Sequence, residues 1–228
     1  MQYRTKLPMK IQNKWKKLNI KISRELRDVI HGYIMSDGSL KNNGILTIEQ
    51  GPKQKSFVYW LYKKFEILRS EKKMRLRSRL DKRTNRKTYS YIFNTQALLK
   101  GFYNIWYKPV KKGDRVIFQK KLPKNISSFF SIPFITLWFA GDGTKMIGQK
   151  GAKFEVTSLT SEERQTLQQL FQQKYNISTK IHRAGQSKKG TIQWTLSIPA
   201  PEYDKFRSLI TQMDLIPNLF PYKLCKKK

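Results

Sequence analysis

Ile30-His31-Gly32-Tyr33-Ile34-Met35-Ser36-Asp37-Gly38 is an apolar run closed by an Asp-Gly pair, and Phe134-Ile135-Thr136-Leu137-Trp138-Phe139-Ala140-Gly141-Asp142-Gly143 closes the same way. No other Asp-Gly occurs in the chain. About 80 residues after each comes a lysine beside a leucine, Lys121-Leu122-Pro123 in the first case and Lys223-Leu224 in the second. An Asp at the C-terminal end of a helix opposes the helix dipole and costs about 0.3–1 kcal/mol unless a positive group offsets it. One Asp-Gly after a helix is an ordinary turn. Two of them in matching context, each trailed by a lysine, point instead to a duplicated unit whose carboxylates serve a cation.

The surrounding pattern repeats as well. Ser23 is the expected N-cap of a helix over Arg24 to Ser36, with Leu26, Val29, Ile30, Tyr33 and Ile34 on one face and Gly38 ending it. Residues 44–50 alternate as a strand, 56–68 carry an aromatic-rich helical period, 72–80 and 89–94 read as basic strands joined by a polar turn over 81–88, and 96–107 read as a helix. A basic linker is expected over 108–124. The order then returns: Pro133 opens a helix through Ala140, 153–158 form a strand, and Thr160 with Glu163 makes a capping box for a helix to Tyr175. Strands over 179–183 and 191–198 and a helix over 201–213 complete the second half. Shared order with little identity is the mark of a fold duplicated and then diverged.

The chain's 228 residues suffice for two domains of about 100 residues, each with its own core. Lys plus Arg number 47 against 15 acids, a net +32 that repels itself unless it faces a polyanion, of which nucleic acid is the natural one. The cations are scattered through strands and loops, which argues against a membrane-surface protein, and no run of 18 apolar residues exists to span a bilayer. Aromatics at 13%, with five Trp in well-patterned segments, argue against a ribosomal protein. The single cysteine, Cys225, excludes an internal disulfide and a Cys-based zinc site, and suits a reducing compartment. Residues 1–21 are basic and free of acids, and read as an arm lying on phosphate rather than as a transit sequence.

Gly32 and Ser36, four apart on one helix, let another helix backbone approach closely. In the second run Ala140 and Gly141 are small, whereas Leu137 fills the position matching Gly32. If the two helices pack together, Asp37 and Asp142 converge, and two carboxylates in so positive a field make a divalent-cation site. All-oxygen ligands favour Mg²⁺. His31 and His182 are too few and too isolated for a His-Asn-His nuclease or a zinc site, and His31 reads as a packing residue. Glu71-Lys72-Lys73 has a Glu-x-Lys form but no placed Pro-Asp partner.

On these motifs the chain resembles a single-chain LAGLIDADG homing endonuclease over nearly its whole length, with Leu137 the one departure from the usual small residue. The resemblance implies an α+β fold of two pseudo-symmetric αββαββα-like halves, 22–124 and 125–228. Each would carry a twisted antiparallel sheet, and together they would form a saddle on double-stranded DNA. It further implies that Asp37 and Asp142 bind Mg²⁺ or Mn²⁺, helped by the carbonyls of Ser36 and Gly141, with Ca²⁺ binding but not supporting cleavage. Lys121, or its neighbour Lys120, and Lys223 would then lie near the scissile phosphates. A monomer would make a double-strand break with short 3′ overhangs in a long asymmetric target, and the resemblance, with the richness in Lys, Asn and Ile, implies an organellar intron product, of mitochondrion or chloroplast. The alternative on the same fold is a maturase binding its own intron RNA, with cleavage lost or secondary. The intact pair of Asp with both Lys favours the nuclease.

Sheets of this kind need base-reading and phosphate-binding side chains. The first half offers Arg75, Arg77, Arg79, Lys82, Arg83, Arg86 and Lys87, and the second Lys180, Arg183, Gln186, Lys188, Lys189 and Gln193. Arg reads guanine and Gln reads adenine by paired hydrogen bonds, while Lys mostly neutralises phosphate.

Overall fold

The computed structural model describes residues 20–188 and 190–225. Nearly all of the basic arm over 1–21, and Lys189, therefore lie outside the described residues. Ser23 caps the first helix, α1 (Arg24–Met35), as its Oγ accepts the Leu26 N–H at 3.1 Å. The chain continues through β1 (Ser39–Leu40), β2 (Leu46–Gln50), α2 (Lys55–Lys64), β3 (Arg75–Asp81), β4 (Arg86–Asn94) and α3 (Lys100–Trp106). A hairpin, β5 (Tyr107–Lys112) with β6 (Arg115–Lys120), follows. The second half runs α4 (Ile132–Asp142), β7 (Gly143–Lys145), β8 (Ala152–Glu155), α5 (Ser161–Tyr175), β9 (Lys180–Gln186), β10 (Ile192–Ile198), α6 (Tyr203–Ile210) and α7 (Leu215–Leu219).

The two four-stranded sheets are wired identically and antiparallel, β1-β2-β4-β3 and β7-β8-β10-β9, so the fold is α+β and internally repeated. The chain divides into two compact units. One gathers Asp37–Lys120 with the start of α1; the other joins Asp28–Ser36 to the rest of the chain from Lys121 onward. The last turns of α1 thus pack with α4 in the second unit.

In the first unit Leu40, Leu46, Ile48 and Phe93 are buried on one face of the sheet, and α2 buries Phe57, Val58, Leu61 and Tyr62. Tyr62 meets Phe93 edge-on at 5.2 Å. In the second, Trp138 of α4 stacks on Phe154 of β8 at 4.0 Å, and Phe171 of α5 and Phe206 of α6 close around the same ring. Each sheet therefore leaves a face uncovered by this aromatic layer.

Gly32 is where α1 and α4 touch. A Cβ there would sit 2.4 Å from the Phe134 carbonyl oxygen and 2.9 Å from Leu137 Cβ, so only glycine admits this approach. Leu137, the departure from the small-residue pattern, is the side chain that Gly32 makes room for. Close packing is kept because one helix supplies the hollow and the other the knob. Nearby, Asp28 is buried with Ser131 Oγ donating to its Oδ2 at 2.8 Å, and His31 stacks on Phe129 at 3.7 Å. His31 is a packing residue, as its isolation suggested.

The structure differs from the sequence reading in three respects. The expected linker over 108–124 contains the β5–β6 ribbon, whose high charge and lack of apolar-polar alternation read as a linker. The strands β1 and β7 are too short for a period to be visible. The helix expected over 201–213 ends at Ile210, and α7 follows as a separate turn. The capping box of α5 forms as expected, with Thr160 Oγ1 accepting the Glu163 N–H and Glu163 Oε2 accepting the Thr160 N–H at 2.8 Å.

Candidate active site and nucleic-acid faces

Both Asp residues stand where a motif helix hands over directly to the first strand of its sheet. Asp37 follows the end of α1 by two residues and precedes β1. Asp142 is the last residue of α4 and precedes β7. Gly143 makes the second junction possible, because a Cβ at that position would fall 2.6 Å from the Phe139 carbonyl oxygen. Glycine after the Asp is therefore a geometric requirement of this helix-to-strand turn.

Asp37 is exposed, and its Oδ2 accepts a hydrogen bond from the Gln50 side-chain amide at 2.8 Å. It opens on a groove of about 800 Å³ over the uncovered face of the first sheet, which Thr47, Glu49, Arg75, Arg77, Arg79 and Asn94 also line. Alternate residues of β3 supply the three arginines, so they share one face. Glu49 holds two of them, at 2.8 Å to Arg79 and 3.6 Å to Arg77, and also accepts from Ser90 Oγ at 2.6 Å. Glu71 holds Arg75 through two hydrogen bonds of 2.8 and 2.9 Å. The carboxylates fix the guanidinium planes above the sheet before any ligand arrives.

At the second junction Lys223 is buried, and its Nζ donates to the carbonyl oxygens of Phe139 at 3.1 Å, Ala140 at 2.6 Å and Gly141 at 3.2 Å. These are carbonyls of the last turn of α4, of which Phe139 also accepts the Gly143 N–H, and a cation here offsets the dipole that Asp142 opposes. The rings of Phe139 and Phe220 lie 5.9 and 5.3 Å from the same nitrogen. The tail that presents Lys223 is latched to α6, where Tyr203 Oη accepts the Cys225 N–H at 2.7 Å and Arg207 donates to the Cys225 carbonyl at 3.0 Å. Burial, together with its neighbours, pushes the Tyr203 phenol up to about 12, so it stays neutral in this latch. In the first half, Lys121 is half-buried just past β6, and Lys120 is the final residue of β6, paired in register with Tyr107.

The register sorts the expected base-reading residues. In the first sheet Arg75, Arg77 and Arg79 share the open face with Thr88 and Arg86, whereas Lys87 pairs with Leu80 on the opposite face. Lys82 and Arg83 occupy the turn, where Asp81 Oδ1 accepts the Arg83 N–H at 2.9 Å, a bond that holds the Asp81 carboxyl below the usual carboxylate range. In the second sheet Lys180 lies on the open face, and Gln193, two residues before Thr195, belongs to the same alternation. Arg183 pairs with Trp194 on the side of Ile181 and Leu196, the covered side. Gln186 ends β9, and Lys188 lies beyond it in the turn.

The open face of the second sheet instead carries Lys153, Glu155 and His182, which the sequence reading does not select. His182 Nε2 and Ser197 Oγ share a hydrogen bond of 2.8 Å. Their common face follows only from the pairing of β8 and β9 with β10, although the alternation within each strand is present in the chain. Glu49 and Gln50 likewise read as plain strand residues until the groove and Asp37 are placed beside them.

The groups at the two junctions that could ligate a metal are oxygens, the carboxylates of Asp37 and Asp142 and the preceding carbonyls of Ser36 and Gly141, with Gln50 Nε2 and Lys223 Nζ donating hydrogen bonds beside them. That set suits a hard divalent cation. Among the described residues no helix is long and apolar enough to cross a membrane.

The fold of this chain is similar to that of the homing endonuclease I-WcaI, solved bound to its DNA recognition sequence. The two are 18% identical, with a TM-score of 0.72 over 100% of this chain and 96% of that one. The N-terminal LAGLIDADG domain of DUF199/WhiA aligns at 12% identity and TM-score 0.44, over 92% of this chain and 95% of its own. Full-length DUF199/WhiA from Thermatoga maritima aligns at 12% and 0.48, over 96% and 68%. No curated protein matches the chain. The model of the LAGLIDADG DNA endonuclease family matches residues 27–206, a span that takes in both Asp-Gly junctions and both sheets, and the chain belongs to that family.

Proposed function

We propose that the protein acts as a monomer that cuts both strands of a long, asymmetric DNA target by metal-dependent phosphodiester hydrolysis, each half serving one strand. The observation that carries this reading is the recurrence of one arrangement, a helix ending on Asp-Gly at the first strand of an identically ordered sheet, in a chain of a DNA endonuclease family. Asp37 and Asp142, with the Ser36 and Gly141 carbonyls, would hold the divalent cations, Mg²⁺ or Mn²⁺. Bound there, such an ion lowers the pKa of a water and offsets charge at the scissile phosphate.

The chain's own residues prepare that site. Gln50 pins one oxygen of Asp37 and leaves Oδ1 to meet a cation. Lys223 fixes the last turn of α4, and with it the backbone from which Asp142 and the Gly141 carbonyl project. Lys121 or Lys120 supplies positive charge toward phosphate in the first half. Arg75, Arg77 and Arg79 suit guanine edges in the major groove, and Lys153 and Lys180 suit phosphate. Because the two faces differ in kind, the target is not a palindrome.

The test is cleavage of a plasmid carrying the cognate site, selected from a randomised library, in Mg²⁺. Asp37→Asn and Asp142→Asn should each abolish the double-strand break while leaving binding within a few-fold of wild type. Full activity in both variants overturns the proposal.

A further inference from the structure

We propose that the β5–β6 ribbon is a third DNA-contacting element, gripping duplex through a mixed cationic and apolar surface separate from the two sheets; this rests on the nuclease reading above. The ribbon pairs Tyr107 with Lys120 at its base and Lys112 with Arg115 at its tip, and it forms a sheet of its own. A two-stranded ribbon is marginal in water unless something holds it. Its base is held: Tyr103 of α3 stacks on Tyr107 at 4.6 Å and lies 5.9 Å from Phe118. The outer part has no such aromatic support among the described residues. Val116 is 65% exposed and Ile117 41% exposed, on opposite faces of the ribbon.

Exposed consecutive apolar residues at the end of a projecting ribbon serve no core, and an apolar surface of this kind marks an interaction site. The charge around them selects the partner. From Tyr107 through Lys120 the ribbon carries five cations and one carboxylate, with Lys111, Lys112 and Arg115 gathered at the tip. A second copy of the chain would have to bring an equal cluster against this one, and edge lysines are what keep free strands from pairing with one another. A polyanion meets no such repulsion. A two-stranded ribbon also has the width that the major groove of a duplex admits, and apolar side chains at its surface can lie on base edges or wedge at a base step.

The experiment measures binding of the full-length protein to a random-sequence duplex of about 40 base pairs by fluorescence anisotropy across a salt series, since binding through phosphate needs no cognate site. Two variants probe the ribbon and leave Phe118 at its base intact. Lys111→Gln with Lys112→Gln should weaken binding at least tenfold at low salt and lower the slope of log K against log salt by about 0.9 for each phosphate no longer neutralised. Val116→Ser with Ile117→Ser should weaken binding three- to tenfold with the slope unchanged. A control pair on the first unit, Lys53→Gln with Lys63→Gln, should change little.

The inference is overturned if both ribbon variants track wild type, or if the control pair weakens binding as much as the ribbon pair. It is overturned in favour of a self-association surface if sedimentation shows a wild-type dimer that the Val116/Ile117 variant dissociates with DNA affinity intact. Wild type that fails to bind duplex at all sinks the nuclease reading and the ribbon with it; normal wild-type binding with unaltered variants sinks the ribbon alone.

Discussion

The two sheets of this protein have the same strand order and different surfaces. On the open face of the first, three arginines from β3 stand in a row, held by Glu49 and Glu71. On the open face of the second, Lys153, Lys180 and a His182–Ser197 pair stand among Thr and Glu, and the arginine of that region, Arg183, lies on the other side of the sheet. What is common to the halves is what the backbone needs: an Asp-Gly turn, antiparallel pairing and an aromatic layer beneath. What differs is solvent-facing, where the fold imposes no restriction and a ligand can. A planar guanidinium fixed by a carboxylate suits paired hydrogen bonds to a base, while a lysine acts as a point charge. On this comparison we propose that base reading falls more heavily on the first sheet than on the second.

The largest effects should fall where the halves are alike. Asp37→Asn and Asp142→Asn should each slow double-strand cleavage by about 1000-fold or more, which is about 4 kcal/mol of transition-state stabilisation removed. Supercoiled plasmid resolves nicked from linear product. Nicking of opposite strands by the two variants supports one Asp per strand, and loss of all nicking in either shows that the two sites work only together.

Next come the cores. Phe93→Ala beneath the first sheet and Phe154→Ala beneath the second each remove a fully buried ring, at a cost of about 3–5 kcal/mol. Urea unfolding followed by tryptophan fluorescence should show each variant's midpoint falling. Two separate transitions, each moved by one variant only, would mean that the compact units fold independently; a single shifted transition would mean that they do not.

The faces themselves should differ by kind of loss. Arg77→Ala or Arg79→Ala should cost about 1–3 kcal/mol of binding and relax base preference at one position of the target, read by selection from a randomised library. Lys153→Ala or Lys180→Ala should weaken binding to all sequences and reduce the salt slope by about 1. Relaxed preference from the lysine variants would erase the distinction between the sheets.

The smallest effect tests the frames. Thr160→Ala removes a capping box and should cost about 1 kcal/mol of stability, seen as a small shift in urea midpoint. No substitution at Gln54 should do the same to α2, since that helix begins without a side-chain cap.

Much of the fold is legible in the chain because its signals are local or periodic. Asp-Gly after an apolar run, Thr160 with Glu163, and the alternation over 44–50 each act over a few residues, and each produces the element expected of it. The ribbon over 107–120 escapes such a reading because its adjacent lysines and its consecutive Val116, Ile117 and Phe118 show no alternation, and its charge reads as a linker. The side of the sheet on which Arg183 stands is hidden for a different reason. Alternation puts Arg183 on the side of Ile181, but which side is covered emerges only when the two pair with Trp194 and Leu196 of β10.

The sequence by itself determined that the fold is duplicated, that each copy ends its motif helix on a carboxylate, and that the whole is built for a polyanion, since these follow from spacing, dipole and net charge. Only the tertiary structure decided what those residues do in place. Lys223, a charge for phosphate by sequence, is buried against three carbonyls of α4, and Gly32, a small residue by sequence, is the hollow that receives Leu137. Hydrogen bonds and close packing here join residues far apart along the chain, and such pairings leave no trace in local pattern.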